Sequence, residues 1–314
     1  MILSAVLSAC ATQRGAPDLT DRQAVDLEDT PFFPQRDYQC GPAGLATVLV
    51  SSGIEVTPED LIAEVYTPGR EGSLQIDLVA AARRYARIPY VIEPDLGHLL
   101  DELDAARPVL VLQNLGFSFK PVWHYAVVTG YDPVTGAVYL RSGTERHKAM
   151  PVKKFERTWQ LAGAWALILL SPGELPANPD ADKLLEAAVA MENAQDPDFM
   201  VTLYRSFLQH FPDDHIARLG LANSYLNSGD LRRAINLYRY ILNIDHDNVA
   251  AGNNLAIALS QANCGETAQV QARLAASLSR EKDLFTAESR RTLEQVEIDA
   301  ESAYGKNPYA DLCD

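Results

Sequence analysis

The chain has 314 residues, 47% of them hydrophobic and 22% charged, which is enough for two domains of ordinary size and too apolar for wholesale disorder. Its formal charge of -15 comes without any cluster of Lys or Arg, and this argues against nucleic acid as a partner, because phosphate binding depends on clustered cations. No stretch approaches the ~20 apolar residues of a membrane-spanning helix. There is no metal-ligand spacing of Cys or His and no glycine-rich phosphate loop, so no cofactor is expected.

The first elements lie before any globular pattern. Residues 1–9 are apolar and small and run into Leu7-Ser8-Ala9-Cys10, which resembles the lipobox of bacterial lipoproteins. The resemblance implies that residues 1–10 are a signal ending at the lipid-bearing cysteine, and that Cys10 is the lipidation site. The polar, Pro-containing run of residues 11–30 then reads as a tether. The compartment implied is the bacterial cell envelope, with the chain facing the periplasm, on the outer rather than the inner membrane, and touching lipid through its anchor only.

A first domain is expected over residues 31–170. The run Tyr38-Gln39-Cys40-Gly41-Pro42-Ala43 opens an apolar stretch that predicts a buried helix from Cys40 to Ser52, stopped by Gly53. Thr57, Pro58 and Asp60 predict a second helix start with a cap, a proline in the first turn and an acidic third position. Ser73 is expected to cap a third helix running through Ala86. Strands are expected at 89–92, 108–113, 124–131, 137–141 and 164–169, with a turn at Asp132-Pro133-Val134-Thr135-Gly136 that sets two of them side by side.

A helix start stabilises a thiolate through its unpaired N–H groups and its dipole, so Cys40 is a candidate nucleophile with a lowered pKa. His124, opening the strand Trp123-His124-Tyr125-Ala126-Val127-Val128-Thr129-Gly130-Tyr131, is the candidate base. Gln35, five residues before Cys40, is the candidate oxyanion donor, with Gln39 as competitor. Gln113 and Asn114, ending a strand before His124, could meet substrate main chain, and the substrate-binding candidates are Gln39 and Asn114. The duller role for a strand-end amide is to satisfy the strand end. Gln35, Cys40-Gly41-Pro42-Ala43, His124-Tyr125-Ala126-Val127-Val128 and Gly130-Tyr131 together resemble the papain-like peptidases that remove double-glycine leaders from bacteriocins. The resemblance covers about half of the chain and implies an α+β papain-like cysteine peptidase domain, with a small residue such as glycine before the scissile bond. The family places an Asp-Pro after the strand that follows the histidine strand. Here that place reads Arg141-Ser142-Gly143, so the group orienting His124 is Ser142, Asp132 or absent. Asp132 has a turn-starting role available and sits at the far end of its strand from His124.

Residues 171–181 are Pro-rich and read as a linker. Residues 182–314 are helical in composition and repeat at 34 residues: Ala188, Ala222, Ala256; Met200, Ala234, Ala268; Tyr204, Tyr238, Ala272. The middle unit, with Leu221-Ala222, Tyr225, Gly229, Ala234 and Tyr238, resembles a tetratricopeptide repeat, which implies an all-α tetratricopeptide-repeat domain that binds a peptide or an envelope protein partner. Cys264 and Cys313 are a disulfide candidate in an oxidising compartment, with two unpaired thiols as the alternative. The combined expectation is an envelope lipoprotein cysteine peptidase acting on a peptide or protein substrate through a Cys40 thioester. The alternatives are a peptidase-like fold that holds peptides without cutting them and, third, transglutaminase or deamidase chemistry on the same Cys and His.

Overall fold

The computed structural model describes residues 19, 21–35, 39–302 and 307–313. Cys10 and the proposed signal lie outside the described residues. The first part runs β1 (Val25–Asp26), α1 (Cys40–Ser51), α2 (Pro58–Val65), α3 (Gln75–Arg84), β2 (Ile88–Val91), α4 (Leu96–Asp104), β3 (Val109–Asn114), β4 (Trp123–Asp132), β5 (Ala137–Ser142), β6 (Glu145–Pro151), α5 (Val152–Gln160) and β7 (Ala166–Leu170). The strands make one sheet in the order β2-β7-β3-β4-β5-β6, with β1 pairing β4. By contacts the chain divides into two compact units. The first comprises the residues up to Leu78 with Val91–Ile168, and the second comprises Val79–Tyr90 with Leu169–Asp314.

Helix α1 forms because its residues are apolar on every side, and all of Gly41 to Leu49 are buried. Two glycines let it lie close to its neighbours. A Cβ on Gly44 would come within 2.7 Å of Leu110 in β3, and one on Gly41 within 2.2 Å of the Ser73 hydroxyl. Helix α2 starts where expected, with Thr57 and Asp60 closing a reciprocal capping box. Ser73 does not cap α3. Its hydroxyl is buried without a partner, while its carbonyl accepts the Tyr125 hydroxyl. The expected order of three helices and then strands omits α4 and α5, which interleave with the strands. Both are short amphipathic segments whose apolar residues, Leu96, Leu99, Leu100 and Leu103 in α4 and Val152, Phe155 and Trp159 in α5, are buried by the fold.

Two polar devices fix the sheet. Arg141 is buried, and its guanidinium donates to the carbonyls of Leu27, Glu28, Thr30 and Arg146, so the segment before the first helix is tied to β5. At the β4 bulge between Val128 and Gly130, the Thr129 carbonyl accepts the Leu27 N–H at 2.8 Å. Gly130 is required there, since a Cβ would stand 2.2 Å from the Val25 carbonyl oxygen. Gly130→Ala is therefore expected to lower stability by about 1–3 kcal/mol, measured by denaturant unfolding, with faster hydrogen exchange at Leu27.

The second unit is largely helical: α6 (Ala181–Val189), α7 (Pro197–His210), α8 (His215–Asn227), α9 (Leu231–Ile244), α10 (Val249–Gln261), α11 (Gly265–Lys282) and α12 (Thr286–Ser302). Helices α6, α8 and α10 begin 34 residues apart, as do α7, α9 and α11. The first five are each capped by an Asp or Asn side chain: Asp180, Asp196, Asp214, Asp230 and Asn248. At the sixth position stands Cys264, which makes no side-chain cap and is bonded instead to Cys313, with Cα atoms 5.1 Å apart. Ala188, Ala222 and Ala256 are fully buried, and the Tyr204 ring lies where a Cβ on Gly220 would be. Val79–Tyr90 joins this unit through hydrogen bonds such as Gln195 Nε2 to the Arg83 carbonyl at 2.6 Å and Asp180 N–H to the Tyr90 hydroxyl, so the unit is not the single run of sequence expected from composition. The disulfide closes a 49-residue separation. Cys313→Ser is expected to cost about 2–4 kcal/mol in this unit, read as increased hydrogen exchange in α11 and the segment 307–313.

Candidate active site

Cys40 is the first residue of α1, and His124 is the second residue of β4. Both line one cleft of about 920 Å³ together with Gln35, Ser73, Leu112, Val122, Trp123, Tyr125 and Gly143. The cysteine is the unpaired thiol of the described residues. Backbone N–H groups of Tyr125, Gly41 and Cys40 itself are directed at its sulfur and favour the thiolate, yet burial outweighs them and pushes the thiol above its ordinary value. The expectation of a lowered thiol pKa from helix position alone is thus corrected by desolvation. His124 is moved the opposite way. Burial, with Lys148 adding to it, brings its imidazole down to about 4. Burial thus disfavours the charged form of each group.

His124 faces Gln113 across the β3 ladder, and the Nε2 atom of its ring lies 2.9 Å from the Ser142 hydroxyl at the end of β5. Asp132 is elsewhere. Its carboxylate accepts the N–H groups of Val134 and Thr135 and the Thr135 hydroxyl, which starts the turn and holds its pKa low. Ser142 is held on both sides, by the Arg141 guanidinium network and by Gly143, whose carbonyl accepts the Gln35 N–H and whose N–H donates to the Gln35 side-chain Oε1.

Gln35 is bound more tightly than an oxyanion donor need be. Its Oε1 accepts the Gly143 N–H at 3.0 Å, and its Nε2 donates to the Tyr125 carbonyl at 3.2 Å. One amide hydrogen remains for the cleft. Gln39 ends the approach to α1 with no side-chain cap and, among the described residues, is not part of the cleft wall, so of the two glutamines Gln35 is the one placed there. Asn114 is engaged by backbone groups of its own hairpin. Its Oδ1 accepts the N–H groups of Gly116 and Val122, and its Nδ2 donates to the Phe117 carbonyl, which staples the β3–β4 hairpin. Gln113 is fully buried against Thr158 and Met150.

That hairpin, with Arg141, is what the sequence did not reveal. It presents stacked Phe117 and Phe119 rings, 66% and 84% exposed, beside Val122 and Trp123 of the cleft wall. The signal was available in Phe117-Ser118-Phe119-Lys120-Pro121-Val122-Trp123, an aromatic run next to the histidine. Arg141 could have been found as a lone cation in an apolar strand.

Residues 27–167 match the family described as Peptidase_C39 like family. Over that stretch, which is less than half of the chain, the sequence is similar to C39-like peptidases. Similar solved structures include a protein described as a C39-like peptidase from Bacillus anthracis, at 21% identity and a TM-score of 0.39, covering 48% of this chain and 98% of that one. The peptidase domain of Streptococcus ComA, a bifunctional ABC transporter involved in quorum sensing, matches at 24% identity and a TM-score of 0.39, covering 45% and 98%. A double glycine motif protease from an AMS/PCAT transporter, solved with its leader peptide, matches at 22% identity and a TM-score of 0.35, covering 48% and 94%. No curated protein matches the chain. Among the described residues, no group of acidic, His or Cys side chains could hold a metal ion, and no helix is long and apolar enough to cross a membrane.

The depressed imidazole has a consequence for stability. Between about 4 and the ordinary 6.5 the unfolded chain binds a proton at this position that the folded chain does not, so stability falls as pH falls through that window. His124→Gln removes the titration and is expected to flatten that part of the pH–stability curve, measured by urea unfolding between pH 7 and 4.

Proposed function

We propose that the chain is a cysteine peptidase that attacks a peptide bond through a thioester on Cys40, with His124 as base and then acid and Gln35 assisting at the oxyanion. The observation that carries this reading is the placement of Cys40 and His124 on one cleft, with Nε2 of the ring engaged by Ser142. The exposed Phe117, Phe119 and Trp123 beside the cleft suit apolar side chains of a peptide substrate. A preference for glycine before the scissile bond is proposed from the double-glycine specificity named for one similar protein.

The 34-residue spacing of helix starts and the buried Ala188, Ala222 and Ala256 support reading the second unit as tetratricopeptide repeats that bind the substrate or an envelope partner. The Leu7-Ser8-Ala9-Cys10 run supports a lipid anchor and a periplasm-facing location. A second reading, an adaptor that binds peptides without cutting, is favoured by one observation: the group that meets the His124 ring is the uncharged Ser142 hydroxyl, and burial disfavours the charged forms of both Cys40 and His124.

The two readings part on a single experiment. The full chain is incubated with a mixed peptide library and its products are identified by mass spectrometry. Cleavage after small residues that falls ~10³-fold or more in both Cys40→Ala and His124→Ala supports the peptidase. Peptides retained intact and equally by wild type and Cys40→Ala support the adaptor and overturn the peptidase.

A further inference from the structure

Ser142 differs from a carboxylate in one chemical respect that the geometry makes decisive. A carboxylate can only accept, so it fixes a proton on the ring nitrogen that faces it. A hydroxyl carries a hydrogen of its own, and that hydrogen needs an acceptor when the group is buried. Ser142 is 4% exposed, and among the described residues its hydroxyl has one partner, the Nε2 of His124 at 2.9 Å. Its position is not adjustable, because Arg141 before it and Gly143 after it are both held by hydrogen bonds to other parts of the first unit.

We infer that Ser142 is a positioning residue that donates its hydrogen to Nε2 and thereby holds His124 in the tautomer protonated on Nδ1. The inference rests on the peptidase reading for its consequence alone. With Nδ1 protonated, the nitrogen left for the cleft offers an N–H and no lone pair. It can donate to the Cys40 sulfur or to a substrate carbonyl, and it cannot take the thiol proton.

For the thiol proton to pass to Nδ1, the ring must first exchange tautomers. The Nδ1 proton leaves to solvent, a proton arrives on Nε2, and Nε2–H then donates to the Ser142 oxygen, whose own hydrogen is left without its acceptor. The doubly protonated ring of a thiolate–imidazolium pair meets the same cost, since Nε2 again becomes a donor. An aspartate at this place reverses the sign, because it accepts Nε2–H in both states. Ser142 thus biases the resting site away from the ion pair by hydrogen-bond direction, in addition to the desolvation of the thiol and the ring. In hydrolases built on a Ser–His pair, loss of the carboxylate that selects the tautomer lowers the rate by about 10⁴-fold.

The test is made on the full chain with ¹⁵N-labelled histidine, at a pH near 7 where the ring is neutral, with His124→Gln used to assign the His124 resonances. Two-bond ¹⁵N–¹H correlations report which nitrogen carries the proton. The expected result is a proton on Nδ1 in the wild type and on Nε2 in Ser142→Asp, with Cys40 alkylation by iodoacetamide, followed by peptide mapping, about tenfold or more faster in Ser142→Asp. A wild-type ring protonated on Nε2 overturns the inference, whether or not Ser142→Asp folds. A Ser142→Asp ring protonated on Nε2 with unchanged alkylation overturns its consequence for the thiol. Neither readout needs a substrate, so a chain that cleaves no peptide can still carry the Ser142 tautomer lock, and a cleaving chain can lack it.

Discussion

The first unit depends on how deeply α1 is buried. A helix apolar on all sides has to be covered on all sides, and Gly41 and Gly44 remove the side chains that would hold it off Ser73, Leu110 and Tyr125. Because Cys40 is the first residue of that helix, the same burial delivers its sulfur to the β4 backbone at Tyr125, one residue from His124. Position and reactivity are therefore set by one constraint with opposing effects. Close packing brings the N–H groups that favour thiolate, and it also removes the water that would solvate it.

A second set of interactions adjusts the histidine side. Arg141 and Gln35 between them immobilise the residues on either side of Ser142. Asn114 performs a similar service for the β3–β4 hairpin, so the aromatic surface next to the cleft rests on three hydrogen bonds from one buried amide. In each case a polar side chain near the cleft is consumed by backbone groups. That is the usual cost of holding irregular backbone in place away from water.

The helical unit rests on repetition. Each helix start from α6 to α10 takes an Asp or Asn cap, and the phase of 34 residues places small residues at the buried crossings. At the next start the cap is given up for the Cys264–Cys313 bond, which ties the final described segment to α11, with Thr267 donating to the Cys313 carbonyl and Arg232 pairing with Asp311.

Much of this was legible from residue order. The helix at Cys40, the capping box at Thr57, the turn at Asp132, the five strands and the 34-residue period all follow from local chemistry, because caps, turns and periodicity act over a few residues. The helices α4 and α5 were not legible, since at nine residues each they carry too few turns to stand out from the strands around them. Nor was the employment of Asn114 and Gln35. An amide that serves the backbone and one that serves a ligand look alike in sequence, and only the neighbours supplied by the fold tell them apart.

The sequence by itself determined which residues could be nucleophile and base, and left the group that orients the base as Ser142, Asp132 or none. Only the tertiary structure decided their state. Desolvation and hydrogen-bond direction depend on everything that surrounds a side chain. Burial thus reverses the thiol shift expected at a helix start, and a fixed 2.9 Å contact makes Ser142 the partner of His124.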